Sequence, residues 1–121
     1  MNNPISQPYL QCERLDVYQV ALKFHRSIVR LAQVRGIADL RDQLLRASES
    51  IVLNVAEGAG RFSYAEKRHF YRIACGSAME CMGALELLHN RNIFSDTGFQ
   101  ARRDLLIRIV QMLSRLAAPP R

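Results

Sequence analysis

Ser50, Asn54, Glu57 and Arg61 recur at spacings of four, three and four inside the otherwise oily stretch SESIVLNVAEGAGR, residues 48–61. On a helix, such spacing lines up a hydroxyl, an amide, a carboxylate and a guanidinium along one stripe. A stripe of this kind can be an active site, a nucleic-acid face or an internal polar seam. Catalysis needs a nucleophile beside a base that a third group orients, and no such arrangement accompanies these residues. The seam is the reading the residue types favour.

Other chemistry is weighed the same way. Two Glu-x-x-His sequences occur, EKRH (Glu66, His69) and ELLH (Glu86, His89). Di-iron bundles use that motif once on each of two helices, with single glutamates from the other two. Here both lie on one helix, 20 residues apart, which is ~30 Å of helix, so they cannot share a site, and no metal is expected. Cys12, Cys75 and Cys81 are odd in number and fit no CxxC spacing, so neither a disulfide framework nor a zinc site is expected. Cys75 and Cys81 read as small core fillers. GAGR follows a helix and lacks the strand–loop–helix setting of a phosphate loop. His25 reads as a partly buried hydrogen-bonding residue. No cofactor fingerprint is found, so the expectation is a protein that is not an enzyme and carries no cofactor.

The charge points elsewhere. The net charge of +6 comes from 15 arginines and only 2 lysines. The flat, multi-donor guanidinium suits phosphates and interface carboxylates better than an ammonium does, which favours a nucleic-acid or acidic partner. An apolar share of 49% with 23% charged residues is ordinary globular composition and argues against disorder. No apolar run approaches the ~20 residues needed to span a bilayer. The polar start MNNPISQP has no signal-peptide core, so a cytoplasmic protein without membrane contact is expected.

Something must position the stripe. Apolar residues recur at helical spacing almost throughout, and no alternating strand pattern appears. Prolines fall only at positions 4, 8, 119 and 120, leaving the interior free for helices. A single domain over residues 1–121 is expected, with an N-terminal arm to about residue 14 and a tail at 118–121. The first helix runs from about Asp16 to Val34, with Tyr18, Leu22, Ile28, Val29 and Ala32 as its face and Gly36 as its stop. The second begins near Asp39 as N-cap and ends at Gly58 to Gly60, where glycine tolerates a left-handed C-cap. The third opens on the capping box of Ser63 and Glu66 and reaches about His89. The fourth opens with Thr97 and Gln100 and runs to about Ala117. Short links imply antiparallel neighbours, hence an all-α, up-down-up-down four-helix bundle.

On the second helix Gln43, Arg46, Ser50, Asn54, Glu57 and Arg61 occupy a sector of roughly 80°. Leu40, Leu44, Ala47, Ile51, Val55 and Gly58 fill the adjoining sector, and Leu45, Val52, Ala56 and Ala59 lie beyond it. A helix apolar on two sides is buried on two sides, which suggests an oligomer interface. The third helix offers Phe70, Ile73, Ala74, Cys81, Leu85 and Leu88 as a core face, with Ser77 and Glu80 beside it. Folding back around residue 62 brings Glu80 near Arg46 and Ser77 to the same turn. A buried carboxylate needs a partner, so an Arg46–Glu80 pair supported by Ser77 is expected. Away from that face Cys75, Gly76, Met79, Met82 and Gly83 offer small or adaptable contacts for a partner.

LRDQLLRASESIVLNVAEGAGR followed by FYRIACGSAMEC resembles the four-helix bundle family of 23S rRNA intervening sequence proteins, related to the accessory proteins of diversity-generating retroelements. The matching positions are Gln43, Arg46, Ala47, Ser50, Ile51, Asn54, Ala56, Glu57, Gly58 and Arg61, then Phe70, Ala74, Gly76, Ser77 and Glu80. Tyr18 stands where relatives often have tryptophan, and Val52 where they often have proline. The connection between the first two helices also looks shortened. The resemblance implies a small bundle that assembles as a ring-like homopentamer; some members of the family look like basic nucleic-acid binders, and the retroelement relatives partner a reverse transcriptase.

In such a bundle one end gathers Arg14, Arg61, Lys67, Arg68, Arg72, Arg115 and Arg121 against Glu13, Asp16, Glu57 and Glu66. Seven cations less four anions leave +3 per subunit, which a ring would multiply. Such a field can hold RNA or DNA phosphates without reading bases. No base-reading motif is present. A solvated basic rim is the alternative reading of the same residues. A protein-interaction scaffold, such as an accessory subunit of a retroelement reverse transcriptase, is the alternative function.

Overall fold

Two reversals of backbone hand, at Gly36 (φ 82°) and Asn92 (φ 61°), help divide a chain that is otherwise almost wholly helical. The computed structural model describes residues 9–119 and holds four α-helices: α1 Asp16–Val29, α2 Ala38–Ala59, α3 Tyr64–Asn90 and α4 Asp96–Leu116. Short 3-10 turns occupy Gln11–Arg14 and Arg30–Gln33, and no strand occurs among the described residues. Glycine and asparagine are the residues that tolerate the left-handed backbone. One sits in the α1–α2 link and the other in the α3–α4 link.

The ends of the helices depart from expectation in instructive ways. α1 stops five residues before Val34 because the chain tightens at Arg30, with the Val34 amide reaching back to the Leu31 carbonyl at 3.0 Å. This connection leaves Leu31 and Ile37 both buried in the core. The N-cap position of α2 is Ile37, with no side-chain cap, and Asp39 lies in the first turn. There the Leu40 amide, and after it the Arg91 guanidinium, hold its carboxyl below the usual carboxylate range. Gly60 keeps a right-handed conformation (φ −84°) instead of the expected left-handed cap. Lys67 substitutes for that motif: its ammonium donates to the Ala59 carbonyl at 3.0 Å and the Gly58 carbonyl at 3.4 Å, where a cation suits the negative helix end. The Ser63 hydroxyl accepts from the Glu66 amide at 3.1 Å as expected, but it donates to the Glu66 carboxylate itself at 3.0 Å. In α4 the cap is Ser95, accepting from the Gly98 amide at 3.0 Å. Thr97 lies inside the first turn and Gln100 just beyond it, and Gln100 donates to Asp104.

The four helices share one core. Cross-helix contacts fix their directions. Asp39 meets Arg91 at one end of α2 and α3, Ser50 meets Ser77 midway, and Gly58 faces Tyr71 at the other end. His89 meets Asp96 where α3 passes into α4, and the Tyr64 hydroxyl donates to the Ala117 carbonyl at the far end, 2.8 Å. Arg102 of α4 reaches the Ser27 carbonyl of α1 at 3.1 Å. The contacts at both ends of α2 and α3, and of α3 and α4, therefore show each of these two pairs to run antiparallel.

The core face of α1 is Val17, Val20, Ala21, Phe24 and Ile28, rotated from the expected strip. Tyr18 and Leu22 are half-buried and Val29 is exposed, while the side chain of Ala32 lies outside the described residues. On α2, Leu40, Leu44, Ala47, Ile51, Val55 and Gly58 are all buried, as the wheel requires. On α3, Tyr71, Ala74, Ala78, Cys81, Ala84, Leu85 and Leu88 face inward. Ile73 is exposed and Phe70 only half-buried.

Candidate functional site: the polar seam and the basic surfaces

Where α2 and α3 meet midway, the Ser50 and Ser77 hydroxyls are 2.7 Å apart. One turn along, the Asn54 side-chain amide donates to the Ser50 carbonyl at 2.8 Å and to its hydroxyl at 3.1 Å. Three polar side chains from two helices thus satisfy one another in a half-buried layer beside a core, as burial of polar groups requires. Ser48, which the helical wheel did not single out, is fully buried and returns its hydroxyl to the Leu45 carbonyl at 2.9 Å.

The stripe continues to Arg61, which lies 3.1 Å from Glu57 and 3.8 Å from Glu66, with its guanidinium 4.9 Å over the Phe70 ring. The Arg46–Glu80 pair is not made. Both side chains are exposed, and no ion pair joins them among the described residues. Cys81, not Glu80, takes the inward position on that turn. A solvated carboxylate needs no buried counter-ion, which removes the requirement on which that pairing rested. The seam therefore consists of Ser50, Asn54 and Ser77, with Glu57 and Arg61 forming a separate, more exposed cluster.

Removing one hydroxyl of the seam strands the groups bonded to it. Ser50→Ala and Ser77→Ala are each expected to lower stability by about 1–2 kcal/mol. Together they should cost less than the sum, with a coupling of about 0.5–1.5 kcal/mol. Urea denaturation of the two single variants and the double variant measures this, and strict additivity would show that the two hydroxyls do not interact.

At the end expected to be basic, several cations are already engaged. Arg61 is held as above, Lys67 closes α2, and Arg68 is half-buried with its Nε unbonded. Arg14, Arg72 and Arg115 are exposed there with no carboxylate partner among the described residues. Arg121 lies outside the described residues.

The chain matches the 23S rRNA-intervening sequence protein over residues 13–115. It belongs to that family. A crystal structure of a protein of unknown function from the S23 ribosomal protein family of Bacteroides thetaiotaomicron is similar in fold, with a TM-score of 0.79 at 23% identity. The match covers 85% of this chain and 99% of that one. Comparison with curated proteins finds no match.

In this member of the 23S rRNA-intervening sequence family, the histidines of the two Glu-x-x-His sequences have other surroundings. His69 packs edge-on to Phe70, and His89 stacks on Phe99 at 4.2 Å while meeting Asp96 at 2.9 Å. Among the described residues, no three His, Cys, Asp or Glu side chains gather to hold a metal ion. His25 lies 3.5 Å from Glu49 in the α1–α2 groove, a distance and alignment that leave its Nε2 without a hydrogen bond. Burial, and after it the Glu80 charge, push the Cys81 thiol up to about 12. No helix among the described residues is long and apolar enough to cross a membrane.

A second gathering of cations escaped the sequence reading. Lys23, Arg26 and Arg30 line one side of a groove whose other side is Ala101, Arg102 and Leu105 of α4. Spacings of three and four put the first three on one helix face, a signal visible in the sequence. Only the fold adds Arg102.

Proposed function

We propose that this protein is a non-enzymatic, self-associating four-helix bundle of the cytoplasm that binds RNA or DNA weakly and without reading bases. The observation that carries this reading is the presence of exposed arginines with no carboxylate partner among the described residues, on a chain of net charge +6. Such cations attract phosphates by releasing condensed counterions.

Self-association is supported by apolar surface on two flanks of the bundle. Leu22, Val52 and Leu53 line a groove between α1 and α2, and Met79, Met82, Ile107 and Val110 line one between α3 and α4. The resemblance set out above makes a homopentamer the expected assembly. The same flanks support a second reading, a scaffold that docks a protein such as a reverse transcriptase.

Filter binding of labelled RNA and DNA across a salt series tests the first reading, alongside sedimentation of the free protein. Retention at low salt that falls steeply as salt rises is expected, from a protein that sediments as a multimer. Absence of retention even at low salt would leave the scaffold reading, and a lone protomer in dilute solution would remove the ring.

A further inference from the structure

The groove between α1 and α4 has an unusual lining. Its charged residues are Lys23, Arg26, Arg30 and Arg102, with no carboxylate among them. None of the four forms an ion pair with a described residue. Four cations around one concavity repel one another, and a protein normally relieves this with acidic neighbours. Here Arg102 is fixed in place regardless. Its guanidinium lies 4.6 Å over the Phe94 ring and donates to the Gly98 and Ser27 carbonyls at 3.1 Å each. Burial, and behind it the Arg30 charge, push its pKa down. A guanidinium held by neutral carbonyls and a ring is not neutralised by a carboxylate.

We propose that this groove binds phosphate groups, supplied by the backbone of a polynucleotide running along α1. The inference rests on the nucleic-acid reading above and gives it a location other than the basic end. From Lys23 to Arg30 the face rises ~10 Å at 1.5 Å per residue, and phosphates follow one another every ~3.4 Å along one strand of a duplex. Three such rises along the duplex axis, from a first phosphate to a fourth, span that length. The groove is open to solvent and offers about 320 Å³, so a phosphate can reach its lining. At the other end of the bundle Arg61 and Lys67 already hold internal partners, which leaves less free charge there than the sequence suggested.

The test compares two variants with equal loss of charge. One carries Lys23→Gln, Arg26→Gln and Arg30→Gln, all at exposed positions; the other carries Arg14→Gln, Arg72→Gln and Arg115→Gln, also exposed. Fluorescence anisotropy of a labelled single-stranded RNA across salt is expected to show the groove variant losing about 2 from the slope of log affinity against log salt. The end variant should lose clearly less. Equal losses, or a larger loss in the end variant, would overturn the groove. Tripolyphosphate supplies the other source of the same chemistry, read by calorimetry. If the full chain holds tripolyphosphate but not RNA, and the groove variant holds neither, the groove stands and the nucleic-acid reading falls. If the full chain holds neither probe at low salt, both are overturned.

Discussion

Gly58→Leu is expected to destabilise the bundle by about 3 kcal/mol or more, and Gly58→Ala by about 1–2 kcal/mol. Ordinarily alanine for glycine inside a helix gains ~1 kcal/mol. Here a Cβ would stand 2.7 Å from Tyr71 Cε1, 3.0 Å from Cδ1 and 3.1 Å from Phe70 Cβ. The Tyr71 ring is only 3% exposed and has nowhere to move, so α2 and α3 must separate. Gly76, inside α3, where an added Cβ would have nothing within 4 Å, supplies the contrast. Gly76→Ala should stabilise the protomer by about 0.5–1 kcal/mol. Thermal melts of these variants decide the matter, and a Gly58→Ala protein melting above the parent would show that the close approach of α2 and α3 has no energetic weight.

Phe24→Ala should be the most damaging truncation, at about 3–5 kcal/mol. Phe24 is fully enclosed and among the largest such side chains in the core. Removing its ring loses the transfer free energy of the ring and leaves a cavity that rigid helices fill poorly. Against a total stability of about 5–15 kcal/mol for a domain of this kind, that loss brings the protein close to unfolding. Phe62, 99% exposed in the α2–α3 turn, is the control: Phe62→Ala should stay within about 0.5 kcal/mol of the parent. Urea midpoints measure both, and equal midpoints would refute the assignment of Phe24 to the core.

Much of this was readable in the residues, because helical periodicity is a property of neighbours along the chain. The α2 wheel anticipated the apolar core positions from Leu40 to Gly58 but not the buried Ser48, since two apolar strips and a polar one leave little rotational freedom. On α1 the same method placed Ile28 correctly but missed Val17, Val20, Ala21 and Phe24. Tyr18, Leu22 and Val29 are as apolar as Val17, Val20 and Phe24, and only the neighbours of the helix distinguish the two faces. The seam was half legible. Ser50 and Asn54 are one turn apart on one helix, so their bond follows from local geometry. The partner of Ser50 is Ser77 because α2 and α3 cross there, whereas Arg46 and Glu80, at nearly the same level, point to water.

Caps show the same division. Ser63 was recognised because its partner Glu66 is three residues away, and the contact repeats wherever that spacing starts a helix. The end of α2 fell where expected, at Gly60, but its left-handed cap did not form, because a lysine one turn into the next helix closes it, which a local rule for glycine does not include. Residue order by itself determined four amphipathic rods, their approximate lengths and the excess of arginine. The tertiary structure alone decided which face of α1 is inside, why Gly58 must be bare and which cations stand together without anions. Periodicity is set by covalent neighbours at fixed rise and rotation, whereas Arg102 beside Arg30, or Tyr71 against Gly58, depends on how separate helices pack.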